Sequence, residues 1–365
     1  MRALSPSSPF DIADPERRHE LVRRNDRAIG LWLLACCAMV FVMVVLGGVT
    51  RLTQSGLSIM EWAPLRGALP PMSEAEWQRI FALYQQIPEY QQINHGMTLA
   101  EFQGIFWWEW AHRLWGRLIG VVFLVPFLWF LLRGRIRRGL APRLTLLFAL
   151  GAAQGALGWF MVASGFADRV DVSQYRLVAH LVLALAIYVA MLWTALGLLR
   201  ARERWPVPCR LFPHLLTALA LLGLTIVMGG FTAGLHGGLV YNSFPLMGGE
   251  LAPSDLWAMV PGWINLFENP PAAQFVHRWL AIATMLTVLA LGWRDRATGS
   301  LPVRLATAMA LLQVGLGIAT LLLLVPVPLA ALHQAGAVTL LTLVVWALHD
   351  AHGDREVVVA GSGAR

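Results

Sequence analysis

Trp110-Ala111-His112-Arg113 in the first half of the chain is answered by Phe275-Val276-His277-Arg278 in the second. A further histidine follows each. Leu177-Val178-Ala179-His180-Leu181 is answered by Ala330-Ala331-Leu332-His333-Gln334. All four histidines lie inside long apolar runs, where an imidazole is costly and marks a functional site. Two copies of a two-histidine pattern imply two copies of one helical unit, each holding one group between a pair of imidazoles.

The duplication extends beyond the histidines. Leu46-Gly47-Gly48-Val49-Thr50 resembles Met228-Gly229-Gly230-Phe231-Thr232, and Gln154-Gly155-Ala156-Leu157-Gly158 resembles Gln313-Val314-Gly315-Leu316-Gly317. Anchors that recur in one order indicate a tandem duplication of a four-helix unit. Of the 365 residues 57% are hydrophobic and 13% charged, with a mean hydropathy of +0.60, which places the chain among polytopic membrane proteins. Eight stretches are long and apolar enough to cross a ~30 Å hydrocarbon core: 28–50, 104–132, 143–163, 175–199, 211–233, 272–293, 303–324 and 328–349. The expected fold is an all-α integral membrane protein whose eight transmembrane helices form two tandem four-helix bundles. An even number of helices per unit points both copies the same way, so a pseudo-twofold axis should run along the membrane normal. The organisation is then a tail over 1–27, a first repeat over 28–200 with a long outer loop at 51–103, a second repeat over 201–349, and a disordered tail over 350–365.

A net charge of +7 invites a nucleic-acid reading, but its placement excludes one. Every basic residue is arginine. Arg2, Arg17, Arg18, Arg23, Arg24 and Arg27 precede the first span, and Arg133, Arg135, Arg137, Arg138 and Arg143 separate spans two and three. Arg200, Arg202, Arg204 and Arg210 separate spans four and five; Arg294, Arg296 and Arg304 separate six and seven. Residues 234–274 contain none. This positive-inside pattern puts both termini in the cytoplasm. The first span lacks a small-residue cleavage site and reads as retained. Cys36, Cys37 and Cys209 form neither a disulfide framework nor a CxxC metal spacing.

Spans two, four, six and eight run from outside to inside, so His112, His180, His277 and His333 fall roughly 8–14 Å below the outer surface. Two imidazoles on facing helices can ligate a heme iron axially, whereas zinc sites usually need three or four ligands. Phe106, Trp107, Trp108, Trp110, Trp115, Phe275 and Trp279 surround them with flat apolar surface that suits a macrocycle. The competing reading makes the imidazoles polar glue between helices. Arg113 and Arg278 each follow a candidate ligand. They can pair with a heme propionate or snorkel to lipid headgroups; Arg117, one turn on, can serve the same anions.

Three residues before the histidine stands Glu109 in the first copy and Gln274 in the second. Glu109 shares a helix face with His112. It can act as a base, stabilise a developing cation, or pair with Arg113 at i,i+4. Loss of that charge in the second copy implies divided labour, with a reactive first half and a resident cofactor in the second. Gly47-Gly48 and Gly229-Gly230 permit a ring or a helix to come close. In the first outer loop Trp77, Ile80, Phe81 and Tyr84 recur at helical spacing over 76–86, which predicts an amphipathic helix on the membrane surface, capping the first site. His19, His95, His214, His236, His349 and His352 have no aligned duplicate and read as surface or interfacial residues.

In these residues the chain resembles the heme A synthase family, over almost all of 25–350. The resemblance rests on Gly47-Gly48-Val49-Thr50-Arg51-Leu52-Thr53, Ser55-Gly56-Leu57-Ser58 and Tyr84-Gln85-Gln86-Ile87-Pro88-Glu89-Tyr90. Phe106-Trp107-Trp108-Glu109-Trp110-Ala111-His112-Arg113 is its most distinctive run; Tyr241-Asn242-Ser243-Phe244-Pro245-Leu246-Met247 and Leu332-His333-Gln334 complete it. It implies an eight-helix, two-repeat membrane oxidoreductase that turns the C8 methyl of heme O into a formyl group by successive hydroxylations, giving heme A for cytochrome oxidase. It also implies that His277 and His333 ligate a resident heme b, while His112 and His180 bracket the substrate heme O. Glu109 is implied to stabilise positive charge or take up a proton. Heme O synthase, an electron acceptor, membrane lipid and a second copy of the chain are the partners this reading brings; nucleic acid is not among them.

Some bacterial members carry a cysteine pair in an outer loop, and this chain has none there. The short N-terminal lead favours a bacterial inner membrane over a mitochondrial one. The main alternative is a non-catalytic di-heme b electron-transfer cytochrome. Such carriers generally place hemes near opposite membrane faces, whereas these four histidines share one leaflet. A repeat-built transporter predicts broken helices and midplane polar groups, and ranks below both.

Overall fold

The computed structural model describes residues 15–63, 66–166, 169–199 and 207–362, with side chains described between residues 16 and 353. Arg2, Arg200, Arg202 and Arg204 of the expected inner-side pattern lie outside the described residues. The described chain is helical throughout: α1 (Pro15–Leu52), α2 (Glu74–Tyr84), α3 (Pro88–Gln92), α4 (Leu99–Leu132), α5 (Ala141–Val162), α6 (Gln174–Leu199), α7 (Phe212–Gly234), α8 (Asn265–Glu268), α9 (Pro270–Asp295), α10 (Leu301–Leu322) and α11 (Val327–Ser362). Eight of these, α1, α4 to α7 and α9 to α11, are long and apolar enough to cross a membrane.

Two helices begin well before their apolar runs. α4 starts at Leu99 because Thr98 and Glu101 form a capping box: Thr98 Oγ1 accepts from Glu101 N at 3.3 Å, and Thr98 N donates to Glu101 Oε2 at 2.7 Å. α1 starts at Pro15, whose fixed φ suits a first helical turn. At the other end α11 continues to Ser362, through residues expected to be disordered. No proline interrupts it, and Gly353 costs only about 1 kcal/mol in a helix interior. Between α10 and α11 the chain turns through Leu324 and Val325, both left-handed at φ 63° and 58°.

In the first half α1 packs on α4 and α6, and α5 packs on α4 and α6. In the second, α7 packs on α9 and α11, and α10 packs on the same two. The halves meet through α1 with α11, α6 with α7, and α6 with α11. Exchanging α1, α4, α5, α6 for α7, α9, α10, α11 leaves this set of neighbours unchanged. One apolar core runs through both halves and includes Leu33, Phe127, Leu144, Met191, Leu222, Val288 and Val344. The outward faces are apolar too: α4 buries Phe123, Phe127 and Phe130 while exposing Val121, Val125, Leu128 and Leu132. A helix apolar all round needs hydrocarbon outside as well as protein inside.

The outer ends of the halves differ. Over the first half, α2 and α3 build a cap whose core is Leu57, Phe81, Tyr84, Ile87, Phe102, Phe106 and Val172. Trp77 meets Phe106 edge-on at 4.8 Å and Phe81 meets Phe102 at 5.1 Å. The apolar face of α2 is therefore turned onto the early turns of α4 and not onto lipid. Over the second half the connection consists of short 3-10 turns and α8.

Candidate functional site

In the second half the rings of His277 and His333 face each other with centroids 6.4 Å apart and planes perpendicular. His277 Nδ1 lies 2.9 Å from the Thr225 carbonyl oxygen. A carbonyl can only accept, so Nδ1 carries the proton and Nε2 keeps its lone pair. Thr225 is held in turn, its hydroxyl sharing hydrogen bonds with Leu221 O and Thr284 Oγ1, both at 2.8 Å. Gln313 Nε2 donates to the His333 carbonyl at 2.8 Å and lies 3.2 Å from His333 Nδ1. Glycines make the space: a Cβ at Gly229 or Gly317 would stand 2.9 Å from Cε1 of His277 or His333.

The first half repeats most of this. His112 and His180 lie within electrostatic reach of each other. A Cβ at Gly47 would stand 3.1 Å from His112 Nε2, and one at Gly158 would stand 2.9 Å from His180 Cε1. Gln154 Nε2 donates to the His180 carbonyl at 2.9 Å and lies 3.1 Å from its Nδ1. Each histidine thus has a facing glycine, and the second histidine of each pair has a glutamine buttress. The exception is Thr225, whose aligned position is Met43.

Among the described residues no three His, Cys, Asp or Glu side chains converge to share a metal ion. The donors available are two imidazoles per half. Two imidazoles bonded at about 2.0 Å to one ion between them have ring centres roughly 6 Å apart. The spacing of His277 and His333, and the unprotonated Nε2 of His277, suit one iron-bearing macrocycle that the two imidazoles would hold between them.

One turn outward the copies diverge. Glu109, 2% exposed, accepts from Ser58 Oγ and Ile59 N on Oε2, both at 2.7 Å, and from Arg113 Nε (2.9 Å) and Nη2 on Oε1. Four donors fill the lone pairs of an acceptor-only carboxylate. Arg113 also donates to Ile59 O at 2.7 Å and Glu61 O at 3.1 Å, and Arg117 to Ala63 O at 3.1 Å. In the second copy Gln274 Nε2 donates to Gly237 O at 2.8 Å and Tyr241 O at 3.2 Å. Arg278 donates to Tyr241 O, Ser243 O and Gln274 Oε1 at 2.7, 2.8 and 3.1 Å. Both arginines therefore clasp their own outer loop. The expected ion pair of Glu109 with Arg113 is present.

A second set of charges joins the halves on the outer side. Arg51 Nη1 donates to Asp171 Oδ1 at 2.9 Å, and His236 Nε2 lies 2.6 Å from Asp171 Oδ2 and 2.8 Å from Arg51 Nη2. Burial pushes the Asp171 carboxyl up, but the His236 hydrogen bond and the Arg51 charge outweigh it and hold the group below the usual range. Gln174 Nε2 adds a bond to Glu268 Oε2 at 2.7 Å. Asp171 and Gln174 carry no motif, and His236 has no aligned duplicate. Only proximity in the fold reveals them. Gln154 and Gln313 were visible as repeat anchors, without any sign that they touch the histidines.

A family model described as COX15-CtaA, cytochrome oxidase assembly protein, matches residues 30–345. The chain is 56% identical over 330 residues to a heme A synthase of Rhodospirillum centenum, covering 88% of each chain. It is 51% identical over 344 residues to a heme A synthase of Paramagnetospirillum magneticum, covering 91% of this chain and 96% of that one. A heme A synthase of Parvibaculum lavamentivorans is 50% identical over 330 residues, covering 89% of this chain and 94% of its own.

Proposed function

The chain belongs to the COX15-CtaA family of cytochrome oxidase assembly proteins, and from that premise we propose that it is a heme A synthase with its two histidine pairs in different roles. It oxidises the C8 methyl of heme O to a formyl group. The balance is one water taken up, with four electrons and four protons released, so an electron acceptor belongs to the reaction.

His277 and His333 hold the resident heme b, which when bound supplies one-electron redox chemistry. The observation that carries this division is the commitment of His277 Nδ1 to the Thr225 carbonyl, which fixes one imidazole permanently as an Nε2 ligand. Among the described residues His112 shows no such bond, although the aligned Met43 also presents a carbonyl, and the first pair suits a group that must arrive and leave. His112 and His180 hold the substrate heme iron. Glu109 and Arg113 tie the loop at residues 58–61 down over the pair and exclude water from its outer side. With the substrate heme bound, the Glu109 carboxylate, one turn above His112, would supply negative charge to stabilise positive charge developing on it.

The bacterial relatives support a bacterial inner membrane, the arginine pattern supports both termini in the cytoplasm, and the matched helix neighbours support a pseudo-twofold axis along the membrane normal. Heme extraction and chromatography after co-expression with a heme O synthase tests the reading. Heme A or a hydroxylated intermediate beside heme b is the expected result. Two equivalents of heme b with no modified heme under any condition would leave the second reading, a di-heme electron carrier.

A further inference from the structure

The oxidation releases protons on the outer side of a largely apolar bundle, and Glu109 is badly placed to take them. Both of its oxygens already receive two donors each, so protonating it breaks the clasp. A different carboxyl sits in the cap above. Glu89, at the start of α3, is 4% exposed and its neighbour Tyr84 is fully buried. Asn94 Nδ2 donates to Tyr84 Oη at 2.8 Å, which aims the Tyr84 hydroxyl at Glu89 Oε2, 3.4 Å away. That single long bond contrasts with the four that saturate Glu109. Asn94 also lines an open cleft of about 650 Å³ on the outer face, with Thr53, His95, Glu101 and Trp108.

Three charges and one hydroxyl face Glu89, from α1, α2, α4 and the segment before α6. Asp171, before α6, and Glu109, on α4, oppose its ionisation, whereas Arg51 at the end of α1 and the hydrogen bond from Tyr84 on α2 favour it. Burial is the largest influence, and together they push the carboxyl up to about 8. Glu89 therefore exchanges its proton close to neutral pH, within the cap over the first half.

Resting on the synthase reading, we propose that Glu89 is the proton-holding residue of the first site. Its carboxylate takes a proton released as the methyl group and water lose electrons, forming an O–H bond. That bond breaks when outer water removes the proton, returning the carboxylate for the next step. Tyr84 is the positioning residue that orients it.

The test is the pH dependence of heme A formation in membranes supplied with heme O. In the parent protein the rate should climb with pH and level off near the Glu89 titration. Glu89→Gln should lower the rate at least about a hundredfold, the low end for general-base catalysis, and abolish the climb. Glu89→Asp should restore a pH-dependent limb, displaced from the original. A readout that needs no substrate is the infrared difference between about pH 6 and about pH 9. The parent should lose a protonated-carboxyl band that Glu89→Gln never shows. If Glu89→Gln does not accumulate, Tyr84→Phe should shift both the limb and the band. A Glu89→Gln profile parallel to the parent's, merely scaled down, overturns the proposal alone. No heme A from the parent overturns the synthase reading, and the proposal with it.

Discussion

The two halves of this molecule present the same pair of imidazoles on the same helices and differ in what surrounds them. In the second half His277 is locked by Thr225, and its outer loop is held by a neutral Gln274 that donates to two carbonyls. In the first half His112 shows no such bond among the described residues, and Glu109 accepts from a hydroxyl, a backbone amide and a guanidinium. The hydrogen-bond polarity of the clasp is thus reversed between copies. A duplicated scaffold has kept a facing glycine for each histidine and a glutamine against the second of each pair, and has changed how His277 and His112 are held and how each loop is fastened.

The largest effect expected of this difference comes from the histidines themselves. Loss of His277 or His333 should empty the resident site, so purified His277→Ala or His333→Ala should lose the heme b absorbance nearly completely. Loss of His112 or His180 should abolish heme A while leaving heme b in place. Pigment analysis of the four variants checks both. If His112→Ala loses heme b as readily as His277→Ala, the division of labour between halves is wrong.

A smaller effect should follow from exchanging the clasps. Glu109→Gln puts an NH₂ where an acceptor is required, against Ser58 Oγ–H, Ile59 N–H or Arg113. Gln274→Glu sets a carboxylate against the carbonyls of Gly237 and Tyr241. Each leaves buried groups mismatched, at a cost of roughly 1–3 kcal/mol. Glu109→Gln should show it as lost heme A with heme b retained, because the loosened loop lies over the first pair. Gln274→Glu should show it as a lower midpoint of thermal unfolding and weaker heme b retention. Interchangeable behaviour of the two variants would mean that the clasp polarity has no bearing on function.

Much of this was legible from sequence because the signals are periodic or duplicated. Apolar run length yields eight spans, and the recurrence of His112 and His180 as His277 and His333 yields two sites. What the sequence hides is local and singular. The start of α4 was missed by five residues because Thr98 and Glu101 are polar and fall outside the apolar run, although a capping box spells itself out there. The apolar face of the cap helix predicts a place on the membrane surface over the first site, while the rings it covers are Phe102, outside the apolar run of α4, and Phe106, just inside it. The His277 lock runs through a backbone carbonyl, which no side-chain identity announces. Glu89 sits inside a motif recognised only as family resemblance, and its burial becomes visible once α2, α3 and α4 are assembled.

The smallest effect concerns a contact made once where a twofold arrangement has room for two. Arg51, Asp171 and His236 join the halves on the outer side. By the offsets of the repeat their counterparts are Ala233, Leu324 and Gln54, which can form no such cluster. Gln54 and His236 nevertheless share the same left-handed backbone, each at φ 52°, so the twofold-related junction keeps the turn without the charges. Asp171 is held below the usual carboxylate range. Its contribution to stability is therefore present above the unfolded value of 3.8 and lost as pH falls through the lower folded value. With side chains 14% and 32% exposed at Arg51 and Asp171, the junction is partly screened. Asp171→Asn should cost less than about 1 kcal/mol near neutral pH, and less still at high salt. Acidification below about pH 4 should then bring the unfolding midpoints of parent and variant together, because the parent alone has that stability to lose. Midpoints that stay equally far apart across the acid range would mean that Asp171 contributes through packing, and that the asymmetry of the junction carries no electrostatic weight.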